Sequence, residues 1–219
     1  MRRLDHAVDL KYGPDHHQIA NVYYPGNRHD CPVIAYFHGG RWREGHPAFY
    51  YYYYYYYYYY YVAEPWVDAG AVFVSCGYRL QPRHGIAATV DDAARAVDWV
   101  RQCAHRYGGD PHRITVAGHS AGGHLTAMVT MTDWPAAHPL QDGSVTGSIC
   151  MSTPVDLRSL TPADADAVSP AFRVNRAPER VVVSFGDPEP NKKDADDRYL
   201  AGQGGCRPRL SAMPVSHRP

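Results

Sequence analysis

The sequence predicts an α/β fold in which a mostly parallel central sheet carries helices on both faces. Three observations predict it. Five short apolar runs recur along the chain: Val33-Ile34-Ala35-Tyr36-Phe37, Ala71-Val72-Phe73-Val74-Ser75, Ile114-Thr115-Val116-Ala117, Ser148-Ile149-Cys150-Met151 and Val181-Val182-Val183-Ser184. They are continuous rather than alternating, as strands buried on both faces of a parallel sheet require. Longer amphipathic segments separate them, and strand–helix alternation of this kind places helices on both sides of the sheet. The length, 219 residues at 45% hydrophobic and 20% charged, suits a single domain over residues 1–219 with a core of its own.

Each element has its own signal. Met1-Arg2-Arg3-Leu4-Asp5-His6 has positive charge with no apolar stretch behind it, so no secretory leader is expected. The pattern near Ile19 to Val22 predicts an antiparallel edge hairpin. Val33–Phe37 is the first buried strand. Twelve of the 19 tyrosines then form one run, Tyr50 to Tyr61. No face of such a run differs from another; Tyr favours extended backbone, and a uniform stretch invites aggregation. An aromatic lid or a codon-repeat expansion would each account for it, and no site residue is assigned there. A helix is expected to start at Val62-Ala63-Glu64-Pro65. Between the second and third strands, Val90, Ala93, Ala94, Val97, Val100 and Ala104 recur at helical spacing, with Asp91, Asp92, Arg95 and Arg101 expected to face elsewhere. Leu125, Met128 and Val129 mark another helix. Residues 202–219 form an irregular tail without an apolar strand, and the chain is short enough that a truncated C-terminal part is expected.

Composition excludes several function classes. The 22 basic and 22 acidic side chains cancel, which leaves no electrostatic footprint for nucleic acid or an anionic membrane. No uncharged apolar run approaches the ~20 residues that span a bilayer. The five cysteines are odd in number and widely spaced, and Cys76 and Cys150 end apolar runs. They read as buried thiols in a reducing cytoplasm. Among the 13 histidines, His16-His17, His112, His119 and His124 show no metal-ligand spacing, so no metal site is expected.

Chemistry concentrates where strands end. Gly118-His119-Ser120-Ala121-Gly122 fits G-x-S-x-G between a strand and a helix, the context of a nucleophile elbow. Bulky side chains at Gly118 and Gly122 would clash in so sharp a turn, which lifts the Ser120 hydroxyl. The Ala121 N–H, at a helix N-terminus, can bind a developing oxyanion. His38-Gly39-Gly40-Arg41-Trp42 follows the first buried strand, and its paired glycines let backbone N–H groups approach a ligand oxygen. His38 reads as an anchor for that loop rather than as a base.

Together with Tyr78-Arg79-Leu80, Gly109-Asp110-Pro111-x-Arg113-Ile114 and Gly122-Gly123-His124-Leu125, these motifs resemble the α/β-hydrolase superfamily. More narrowly, they resemble the branch of kynurenine formamidases and hormone-sensitive-lipase-like carboxylesterases. Weaker similarity continues through Pro154-x-Asp156-Leu157 and Ser169-Pro170. Trp42 stands where the lipase-like branch usually has a third glycine, which favours the formamidase side. The resemblance implies a Ser–acid–His triad in that chain order. Asp187, just past an apolar strand, is the acid candidate with Glu189 as its alternative; His217 is the histidine candidate. Ser120 would attack, His217 would move the proton, and Asp187 would orient the imidazole. Gly39, Gly40, Arg41 and Ala121 would form the oxyanion site, with Trp42 lining the acyl pocket. The implied substrate is a small ester or aryl-formamide, such as N-formylkynurenine, with no cofactor and no metal. A homodimer is compatible with this reading. A short-chain carboxylesterase and a hydrolase-like scaffold that binds without turnover are the alternatives.

Overall fold

A computed structural model describes residues 4–52, 55–134, 140, 145–160, 165–173 and 177–184. Along the chain run β1 (Asp5–Lys11), β2 (Ile19–Tyr24), β3 (Cys31–Phe37), β4 (Phe49–Tyr52), β5 (Tyr55–Tyr58) and α1 (Tyr59–Asp68). There follow β6 (Val72–Cys76), α2 (Ile86–Cys103), a 3₁₀ turn (Ala104–Tyr107), β7 (Gly109–His119) and α3 (Ala121–Met131). The last are β8 (Val145–Met151), α4 (Ala165–Val168), α5 (Pro170–Arg173) and β9 (Arg180–Ser184). Seven strands form one sheet in the order β1-β2-β6-β3-β7-β8-β9. β1 and β2 pair antiparallel, β2 pairs antiparallel with β6, and every pairing from β6 to β9 is parallel. The expected hairpin therefore exists, with β1 at the edge and β2 one place inside.

The continuous apolar runs have a direct structural reason. Successive residues of a strand point to opposite faces, and here both faces are covered. Val33, Ala35 and Phe37 of β3, with Val72 and Val74 of β6, enter one core with α2 and α3. Ile34 and Tyr36, with Phe73 and Tyr23, enter the other, against Ala63 and Val67 of α1. Phe37 and Phe73 are fully buried, and each contributes on the order of 2–3 kcal/mol through the area it removes from water. In α2 the buried positions Val90, Ala93, Val97 and Val100 repeat at three and four residues, and its alanines let the helix lie close to the sheet.

Two expectations change. Asp92, placed on the outward face of its helix by the sequence, is completely buried. It accepts hydrogen bonds from the Arg79 guanidinium and from the Arg79 backbone N–H at 2.9 Å, and this satisfaction is what permits a carboxylate there. The helix expected from Val62 starts at Tyr59, and two stretches of the tyrosine run pair antiparallel as β4 and β5. Among the described residues, Cys31, Cys76, Cys103 and Cys150 are buried free thiols, and no helix is long and apolar enough to cross a membrane.

Candidate active site

β7 and α3 meet at Ser120, whose backbone sits at φ 55°, ψ −117°. That conformation is rare for a residue with a side chain and stores strain. Its surroundings hold it there. The Ser120 N–H donates to Met151 O at 2.8 Å, and His124 N–H donates back to Ser120 O at 3.0 Å. A Cβ on Gly118 would overlap the Gly122 carbonyl, and one on Gly122 would overlap the Phe37 carbonyl at the end of β3. Both positions therefore accept only glycine, for the reason the motif suggested. Ala121 opens α3, so its N–H lies in the first turn, where backbone donors have no intrahelical acceptor.

The loop after β3 runs against this turn. A Cβ built on Gly39 would stand 3.4 Å from Ser120 Cβ and 3.1 Å from His119 O. Gly40, Arg41 and Trp42 follow at φ 121°, 55° and 59°, a succession of left-handed residues closed by Arg43 and Glu44 N–H groups donating to Gly40 O. This backbone is costly, and its anchors explain its persistence. Tyr78 O–H donates to His38 O at 2.8 Å, and the two rings stack 4.3 Å apart. The His38 Nδ1–H donates to Gly39 O at 2.8 Å. Burial drives the His38 pKa down to about 4, so the ring stays neutral and serves the loop as an anchor.

Trp42 provides a second anchor, which sequence reasoning missed. Its ring is 3% exposed and meets His124 edge-on, with Trp42 Nε1–H donating to His124 Nδ1 at 3.3 Å. On the other side, His124 Nε2 lies 2.6 Å from Val168 O. A carbonyl only accepts, so Nε2 carries the proton and Nδ1 receives the indole. Burial also drives the His124 pKa down to about 4. One neutral imidazole thus ties the loop after β3 to α3 and to α4. No local pattern announces that chain, although Trp42 and the one-turn spacing of His124 from Ser120 are its two visible parts.

Gly39, Gly40, Arg41, Trp42, Ser120 and Ala121 are thereby brought together at the C-terminal ends of two adjacent parallel strands. Asp187, Glu189 and His217 lie outside the described residues. An apolar cavity of about 140 Å³ lies among α3, β8, α5 and β9, lined by Ala127, Met131, Cys150, Val155, Pro170 and Val183 among others.

The family model BD-FAE matches residues 20–171, from β2 into α5. The chain belongs to the BD-FAE family. This BD-FAE stretch contains the loop after β3 and the whole β7–α3 turn. Over 110 residues the chain is 41% identical to carboxylesterase NlhH of Mycobacterium tuberculosis, covering 49% of this chain and 32% of that protein. Over 129 residues it is 33% identical to kynurenine formamidase of Danio rerio, covering 58% and 39%. The chain therefore spans about a third of the length of these curated relatives. The structure of Thermogutta terrifontis esterase 2 phosphorylated by paraoxon superposes with a TM-score of 0.65 at 25% identity, covering 81% of this chain and 69% of that one. The fold of this BD-FAE chain is the α/β-hydrolase fold, in the branch that holds both carboxylesterases and a kynurenine formamidase.

Proposed function

We propose that the chain carries the nucleophile and oxyanion site of a serine hydrolase acting on a small ester or aryl-formamide. The observation that carries this reading is Ser120, strained at φ 55° on the strand–helix turn with Gly39 backbone against it. Ser120 Oγ attacks the substrate carbonyl carbon while its proton passes to a histidine, for which His217 is the proposal and Asp187 the proposed orienting acid. The tetrahedral oxyanion accepts N–H groups from Ala121 and from the Gly40–Arg41 backbone. Collapse expels the alcohol or the arylamine, which takes the proton from the imidazole. Water then attacks the acyl-enzyme, or the formyl-enzyme for a formamide, and releases the acid. Likeness to both a carboxylesterase and a kynurenine formamidase supports both leaving groups. A cytoplasmic setting belongs to the same proposal and rests on the four buried thiols.

The test has two arms. The chain should label with a fluorophosphonate probe and lose both labelling and hydrolysis in Ser120→Ala, the latter by at least about 10³-fold. Equal labelling of wild type and variant overturns the nucleophile assignment. Comparing kcat/KM on N-formylkynurenine and p-nitrophenyl acetate then separates the substrates. Good ester cleavage without formamide cleavage leaves the short-chain carboxylesterase.

A further inference from the structure

The loop between β1 and β2 gathers a set of donors that the hydrolase reading does not use. Asp15 Oδ1 lies 3.2 Å from His16 Nδ1 and 3.3 Å from His17 Nδ1, while Asp15 Oδ2 lies 3.7 Å from His84 Nε2. His84 arrives from the segment between β6 and α2, which is why no local spacing in the sequence reveals the set. We propose that Asp15, His16, His17 and His84 form a binding site for a divalent transition-metal ion such as Zn²⁺.

The geometry fits the ion. Metal–ligand bonds of about 2.0–2.1 Å in a tetrahedron put neighbouring donors about 3.3–3.4 Å apart, and the separations around Asp15 bracket that edge. Imidazole nitrogen and carboxylate oxygen are donors that Zn²⁺ accepts readily, whereas Ca²⁺ and Mg²⁺ prefer all-oxygen sites. Three ring nitrogens face one carboxylate. The donor atoms of Asp15, His16 and His17 all lie within 4.8 Å of one another, close enough to share one cation. His84, 3.7 Å from the other carboxylate oxygen, is the fourth donor that turns in to complete the set.

The carboxylate is also held in place. Its Oδ1 accepts the His17 backbone N–H at 2.9 Å, and the Asp15 N–H donates to Gln18 Oε1 at 3.0 Å. Gln18 in turn donates to the buried Asp92 at 2.7 Å. Such outer partners fix a ligand's orientation before metal arrives. Arg79 and Arg95, which share the neighbouring polar recess with Asp15, are matched by Asp92 at 2.6 Å and Asp91 at 2.9 Å. Their charge is thus already balanced. His16 is 72% exposed, so an ion has an open approach. Bound metal would clip the β1–β2 hairpin to the loop leading into α2. That clip lies on the same rim of the sheet as Ser120, because Gly77, just past β6, donates its N–H to Ile19 O at 2.8 Å.

The test uses the untagged full chain, stripped with chelator and titrated with ZnCl₂ by calorimetry. One Zn²⁺ per chain should bind. His84→Ala and Asp15→Asn should each weaken binding by at least about tenfold, since loss of even an outer partner costs that much. Exposed His112, outside the set, supplies the control: His112→Ala should leave binding unchanged. CoCl₂ should give the intense visible bands of tetrahedral coordination, and His84→Ala should abolish them. His16→Ala, at an exposed ring, should also weaken binding, so a folding defect in His84→Ala would not shield the proposal. Absence of binding to the parent chain, or binding that both His84→Ala and His16→Ala leave unchanged, overturns it.

Discussion

Ser120 shows how single atoms fix this site. Its φ of 55° is tolerated because the turn on either side has no room for any other path. Gly122 makes the point most sharply, since a methyl group there would overlap the last carbonyl of β3. Gly122→Ala should therefore lower stability by about 3 kcal/mol or more, through displacement of main chain rather than of a side chain. A urea unfolding midpoint equal to that of the parent would contradict this. The same steric fact made the turn legible in the sequence: two glycines flanking a serine at that spacing, after an apolar run, leave few alternatives. Asp92 was illegible for the opposite reason. Its burial depends on Arg79, thirteen residues earlier, reaching across from the loop after β6, and nothing in the helical pattern records that partner.

Between elements, two polar links join what the apolar faces leave unspecified. Asp92 is fully buried while the Arg79 side chain is 24% exposed. Arg79→Ala should consequently destabilise more than Asp92→Ala, because it strands a carboxylate without water, at a cost of about 3–5 kcal/mol. Thermal melts of the two variants measure the difference, and equal melting temperatures would refute it. The Trp42–His124–Val168 chain is the second link. Trp42→Phe keeps an aromatic side chain but removes the indole N–H and leaves His124 Nδ1 buried without its donor, which costs about 1–3 kcal/mol. Because the loop carrying Gly39 and Gly40 moves with Trp42, kcat should fall more than KM changes; steady-state kinetics on p-nitrophenyl acetate decide it. The parallel strands were legible because burial on both faces makes each run uniformly apolar. The hairpin was legible from its inner strand near Ile19 to Val22, whereas the span of β1 itself carried no signal because five of its seven residues, Asp5 to Lys11, are exposed at an edge. These two links were invisible because each joins side chains on different elements, and the periodicity within one element carries no such information.

At the scale of the whole molecule, buried neutral imidazoles set the acid limit of stability. His38 and His124 are each pushed by burial from 6.5 to about 4. Unfolded, both take up a proton below pH 6.5; folded, they resist until about pH 4. The unfolded state therefore binds more protons across that window, and stability falls as pH drops through it. Each histidine contributes a slope of up to about 1.4 kcal/mol per pH unit. Urea titrations at pH 7.5, 6 and 5 should show a falling midpoint, and a flat profile would remove these rings as its cause. The tyrosine run also takes on meaning at this scale. It sits inside the connection from β3 to β6, two strands that pair directly in the middle of the sheet. The entropy of bringing such strands together grows only with the logarithm of the chain between them. Twelve residues added to roughly 22 raise the closure cost by about 0.4 kcal/mol. By that closure term alone the length of the connection is nearly free to vary, so whatever holds the run in place is the local structure it forms, the β4–β5 pair and the first turn of α1.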